Sequence, residues 1–206
     1  ESPAAVATDP SAFPELEDDA PPAKPRQRLF VRAADLTDPA PPVWVVKGWL
    51  ERGSLAVLFG DPSAGKSFVA IDIALAVARG VDWNGRKVKQ GGVVYIAGEG
   101  YKGIARRLQA SAIHHDFELG DVPLIVSRLS VAMSDREAVR KVIDELAVMY
   151  TEDQWRSMLI VIDTLRRNFG IGDENNAEDM GRFIDACALL AQVTGAEELS
   201  ARATQI

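Results

Sequence analysis

A single cysteine, Cys187, stands in 206 residues, so no disulfide can staple the chain internally. With no secretory signal visible, that scarcity fits a reducing compartment, and the expectation is a cytoplasmic protein. Long apolar runs are missing too: Met158 to Ile162 is typical, far short of the ~18 residues of a membrane-spanning helix, which excludes a membrane partner of that kind. Basic excess is absent, since 23 Lys and Arg face 30 Asp and Glu for a net charge of −7. No global positive field therefore exists to hold nucleic acid, and any such contact must be local. The two histidines, His114 and His115, have no cysteine or carboxylate at metal-cage spacing and read as structural. Aromatics make up 7%, and the tryptophans at 44, 49, 83 and 155 are scattered as core or hinge residues are, unlike a base-stacking platform.

Glycine is missing before Gly48, whereas nine of the eleven prolines fall within the first 42 residues. This asymmetry marks a boundary. Residues 1–27 mix Ala, Pro and acids and are too poor in large apolar groups to offset the entropy of ordering, so they read as a disordered arm. Residues 28–42 read as a short strand, Arg28 to Arg32, and a stiff connector, Pro39 to Pro42. The folded body is expected over 43–196, and 197–206 form an atypical tail. The first residue, Glu1, is not a methionine, which points to processing or a fragment.

Within the body, apolar runs alternate with helical periods. Ser54 to Phe59, Gly92 to Ala97, Pro123 to Ser127 and Met158 to Ile162 read as strands, the first buried and the last apolar enough to lie mid-sheet. Ser67 to Arg79 reads as a helix ended by Gly80, and Tyr101 to Ile113 as a second. A capping box, Ser134 to Glu137, opens a third with Val139, Val142, Ile143, Leu146 and Met149 on one face. Asn176 caps a last helix with Met180, Phe183, Ile184, Cys187 and Leu190 inward and Gly195 as its stop. Alternating strands and helices imply an α/β fold, a mostly parallel sheet with helices on both faces.

The chemistry begins at Gly60-Asp61-Pro62-Ser63-Ala64-Gly65-Lys66-Ser67, which fits G-x-x-x-x-G-K-[ST] between a strand and a helix. Glycines let the backbone wrap a phosphate, loop N–H groups point at it, and the helix dipole favours its charge. Lys66 then reaches the β- and γ-phosphates, and Ser67 offers a hydroxyl to Mg2+. Asp163 ends a buried strand at the edge where parallel sheets bind ligands, a place from which a carboxylate can hold the same metal through water. Thr164 follows it, so a base must come from elsewhere. Glu99, between Gly98 and Gly100 at the end of another strand, is the candidate.

These three segments, the last reading Val161-Ile162-Asp163-Thr164-Leu165-Arg166-Arg167-Asn168-Phe169-Gly170, resemble the RecA-like ATPases related to plasmid and phage hexameric replicative helicases. The resemblance covers Val43 to Ala196. It implies a RecA-like P-loop fold, ATP and Mg2+ as ligands, Gly60 to Ser67 as the phosphate loop, Asp163 as the metal aspartate and Glu99 as the catalytic base. It further implies a homo-oligomeric ring with single-stranded DNA as a partner, facing Asn168 to Asn176. That loop carries two acids and no cation after Arg167, which argues against strong phosphate contacts. Arg166 and Arg167, or Arg106 and Arg107, could touch nucleic acid or a neighbouring subunit, or be solvated pairs packing by their stems.

After Ala196 the resemblance implies another strand, inserted between those ending at Phe59 and Ile162, and later a phosphate sensor and an arginine finger. Residues 197–206 do not read that way, so the expectation is a chain truncated, or missing residues, near 196. The activity expected is ATP hydrolysis by a DNA helicase or replication motor of a mobile element. The alternative is a nucleotide-gated assembly or signalling ATPase without DNA translocation. A small-molecule kinase would need an Arg-rich lid, and none is evident.

Overall fold

A computed structural model describes residues 30–36, 41–98 and 101–194. The chain divides after Pro41 into two units. In the first, the described residues hold one 3-10 turn, Ala33–Leu36. The strand expected over Arg28 to Arg32 is not formed at residues 30–32, where Phe30 is exposed and no ladder partner is present among the described residues. The arm 1–27, residues 37–40 and the tail 197–206 lie outside the described residues.

The second unit opens on a hairpin that the apolar pattern does not announce, β1 (Trp44–Val46) and β2 (Leu50–Glu51). The phosphate-loop segment leads into α1 (Lys66–Arg79). This helix is rich in alanine, a strong helix former that lets a helix sit close to a sheet. Gly80 ends it in the left-handed conformation at φ 68°, and its N–H returns to the carbonyls of the last turn. There follow β3 (Val93–Ala97), α2 (Tyr101–His114), β4 (Leu124–Val126), α3 (Arg136–Met149), the short α4 (Glu152–Arg156), β5 (Leu159–Asp163) and α5 (Ala177–Thr194).

Among the described residues the main sheet has three parallel strands in the order β4-β3-β5. Its register sets which side chains share a face. Val93, Tyr95 and Ala97 with Leu159 and Val161 pack against α1 and α2, while Val94, Ile96, Ile160 and Ile162 meet α3 and α5. Helices thus cover both faces, as the α/β reading requires. Trp155 of α4 is fully buried in the second core, and its indole N–H donates to the Val193 carbonyl at 3.0 Å. Cys187 lies in that same core, as its helical position implies.

Four expectations are corrected. Ser54 to Phe59 does not form a buried strand: it runs outside any ladder, with Val57 75% and Phe59 88% exposed. A run of β-formers becomes a strand only where a neighbour accepts its hydrogen bonds, and no described strand flanks this one. Met158 to Ile162 does not lie mid-sheet: among the described residues β5 is an edge strand, half-buried from Leu159 to Asp163, because it pairs with β3 on one side alone. The cap of α3 shifts by one residue: the Asp135 carboxylate accepts from the Glu137 N–H at 2.9 Å, while Ser134 bonds across to residues 169 and 171. Met149 and Ile184, placed on apolar faces, are exposed at the margins of α3 and α5.

Candidate functional site

The phosphate loop is shaped by its backbone. Ser63 takes φ 64° and Gly65 φ 84°, left-handed values that only glycine adopts freely, and turns of this kind make successive N–H groups converge on an anion. The Phe68 and Val69 amides bond back to the Gly65 carbonyl, as the first turn of a helix does. The amides of Gly65, Lys66 and Ser67 donate to no acceptor among the described residues. They are the free donors that every helix start leaves over, here concentrated in a tight loop. The Lys66 ammonium folds back on that loop, donating to the Gly60 and Asp61 carbonyls at 2.8 Å each.

Helix α1 runs against the strand direction. The Val77 and Ala78 carbonyls near its end accept from the Gly91 amide and the Gln90 side chain, just before β3 begins. Its start, carrying Lys66 and Ser67, therefore lies toward the carboxyl ends of the strands. Asp163 closes β5 at that edge, opposite Ala97 in register. Its Oδ2 accepts a 2.6 Å hydrogen bond from the Tyr95 hydroxyl. Burial first, then this bond, pushes the Tyr95 phenol far above its ordinary range, so it stays protonated and donates. Tyr95 escaped the sequence analysis, although a phenol in an otherwise aliphatic buried strand needs a polar partner.

Glu99 and Gly100 lie outside the described residues, but their approach is well held. The Gly98 amide donates to the Asp163 carbonyl at 2.6 Å, and the Ala97 amide to Ser127 Oγ at 2.8 Å. Gly98 has a tight neighbour: a Cβ there would stand 2.2 Å from Arg167 Cβ. The glycine before Glu99 is thus needed for packing against the turn Arg166–Asn168 that follows β5.

The segment after that turn is only partly a free loop. Asn168 is fully buried, its side chain accepting from the Val131 amide and donating to the Thr164 carbonyl, and Phe169 stacks on Phe183. These two are core residues, which corrects their placement on a DNA-facing loop. Further on, Arg166 pairs with Glu174 at 3.2 Å, and the Asp179 carboxylate accepts from the Asp173 amide. Asn176 caps α5 through the Glu178 and Asp179 amides.

A groove of about 660 Å3 opens between α1 and α2, lined by Phe68, Asp72, Arg106, Arg107, His114 and His115 among others. The Arg107 guanidinium lies 4.6 Å over the Phe68 ring, next in sequence to Ser67. Among the described residues no cluster of three His, Cys, Asp or Glu could hold a metal alone, and no helix is long and apolar enough to cross a membrane.

A glycine-bounded loop opening a helix, with a carboxylate at the end of β5, is the arrangement on which the comparison with known families bears. The family profile described as AAA domain matches residues 20–200, and the chain belongs to that family. Membership makes it a P-loop ATPase-like domain and points to ATPase activity with nucleotide as ligand. No curated protein matches the chain.

Proposed function

We propose that the chain is a RecA-like motor domain that binds and hydrolyses Mg-ATP, as a DNA helicase or replication ATPase of a plasmid, phage or other mobile element. Homo-oligomers and single-stranded DNA are its partners in this reading. The observation that carries it is the nest of undonated amides at Gly65, Lys66 and Ser67, at the start of a helix that begins toward the carboxyl ends of the strands, the ends at which Asp163 stands. The amides bind phosphate oxygens, and Lys66 exchanges its two loop carbonyls for the β- and γ-phosphates. Ser67 and Asp163 present hard oxygen donors, the type Mg2+ prefers, and two such groups suffice for an ion that keeps water and phosphate as its other ligands. When bound, Mg2+ neutralises charge on the phosphate oxygens. Glu99 orients the attacking water and takes its proton. The Phe68 ring under Arg107 offers a flat surface and a cation beside the loop.

A nucleotide-gated assembly or signalling ATPase without DNA translocation is the second reading, favoured by the ion pair that ties Arg166 to Glu174 rather than leaving it for a phosphodiester. Two measurements decide. Single-turnover hydrolysis should fall by roughly 10² to 10⁴ in Glu99→Gln with nucleotide still bound, the range for losing a positioned base. A variant within about threefold of the parent would remove Glu99 from the role. Affinity for single-stranded DNA should fall steeply with salt if the motor reading holds. Flat or absent DNA binding with intact hydrolysis would select the second reading.

A further inference from the structure

We propose that Tyr95 is a positioning residue for Asp163, fixing which carboxylate oxygen faces the metal. The inference rests on the reading of Asp163 as the Mg2+ carboxylate. Tyr95 is fully buried in the middle of β3, opposite Val161, and its ring reaches two residues along the neighbouring strand to the strand-end aspartate. At 2.6 Å its hydroxyl bond to Oδ2 has the length of a hydrogen bond to an ionised acceptor. An aspartate at the last position of an edge strand would otherwise turn about two torsions. Tyr95 occupies one oxygen and leaves Oδ1 as the free donor. The ring cannot move away to release it, because Ile71, Ala74 and Leu75 of α1 belong to the core that packs over this face of β3. The amide of Gly98 donating to the Asp163 carbonyl holds the main chain of the same residue, so backbone and side chain are each tied to β3 or its direct extension. Carboxylates that ligate metals are commonly held by such outer partners, whose loss costs about 10- to 100-fold in metal affinity.

The test uses Mn2+ as a spectroscopic stand-in and a non-hydrolysable ATP analogue. Electron paramagnetic resonance titration gives metal affinity, and fluorescent-nucleotide binding in EDTA gives metal-free affinity. Tyr95→Phe removes one oxygen atom, and it should weaken Mn2+ binding about 10- to 100-fold while metal-free nucleotide affinity stays within about twofold. Unchanged Mn2+ affinity in Tyr95→Phe, or equal losses in both titrations, overturns the proposal. Asp163→Asn is measured alongside. If it keeps parental Mn2+ affinity, the reading of Asp163 fails and the Tyr95 proposal with it; if it loses affinity and Tyr95→Phe does not, only the Tyr95 proposal fails. Should Tyr95→Phe not fold, the parent chain labelled with 3-fluorotyrosine answers instead. Tyr101 is identified by its loss in Tyr101→Phe, and one of the two buried tyrosine resonances must shift when Mg2+ joins the nucleotide complex. Neither moving overturns the proposal.

Discussion

Replacing Lys66 with alanine separates the loop's structural role for the ammonium from its role toward phosphate. Without nucleotide, Lys66 makes two hydrogen bonds to its own loop, at 2.8 Å to Gly60 and 2.8 Å to Asp61. Both acceptors sit on exposed residues, so water replaces the lost donor and the fold should persist with its circular dichroism unchanged. With nucleotide, the same ammonium meets an anion, and a hydrogen bond between charged groups is worth about 1.5 to 3 kcal/mol. Leaving the carbonyls costs little, because they re-solvate as readily as in the variant. The net loss therefore lies near the full value. Since ~1.4 kcal/mol is tenfold, ATP affinity should fall by about 10- to 150-fold. A fluorescent-nucleotide titration at fixed Mg2+ measures it, with circular dichroism as the folding control. Affinity within about twofold of the parent in a folded variant would show that the undonated amides hold the phosphates alone, and the role given to Lys66 would be wrong.

Gly98→Ala should lower the melting temperature by several degrees, because a Cβ there meets Arg167 Cβ at 2.2 Å and Asn168 Nδ2 at 3.0 Å. Overpacking of this kind costs about 1 to 3 kcal/mol, worth about 2 to 4 °C per kcal/mol in a chain of this size, and an unchanged melt would show that the turn yields freely. Stability should also fall at alkaline pH through Cys187, whose thiol burial raises from an ordinary 9.0 to about 11. The native state then keeps a proton that the unfolded chain releases, so this contribution is whole below pH 9 and is lost as pH climbs to about 11. Between pH 8 and 10 the loss is about 1.4 kcal/mol, and urea unfolding of Cys187→Ala under reducing conditions should show a correspondingly flatter profile. Parallel profiles for parent and variant would mean that the thiol ionises within the fold.

The features legible in the sequence are those that a few neighbouring residues determine. Gly80 stops α1 because only a left-handed residue closes that turn, and Asn176 caps α5 because its carboxamide reaches two amides within three residues. The tight turn at 60–65 and the helix that follows it are legible for the same reason. What the sequence hides depends on a distant partner. The pattern Ser134 to Glu137 is a sound capping box, yet Ser134 is claimed by the chain at residues 169 and 171, and Asp135 takes over the cap. Asn168 reads as a loop residue two positions before a glycine, and it is buried because the Val131 amide and the Thr164 carbonyl satisfy it. Tyr95 reads as one more apolar position, and its hydroxyl acquires meaning only from the β3 to β5 register.

The same reasoning explains the largest disagreement, at 54–59. Leu55, Val57, Leu58 and Phe59 have the composition of a buried strand and are exposed instead. Composition sets how well a segment would fit a sheet, while the ladder that makes it a strand is supplied by its neighbours. Among the described residues the free edge of β5 has no partner, and residues 55–60 enter no backbone ladder. The phosphate loop is consequently held unequally from its two ends. Its carboxyl end is built into α1, whose alanines pack against the sheet. Its amino end is tied through Lys66, bonded to the carbonyls of Gly60 and Asp61. On the function proposed above, phosphate would draw Lys66 away and release those ties, and the bound anion would take over as the group that joins the two ends of the loop.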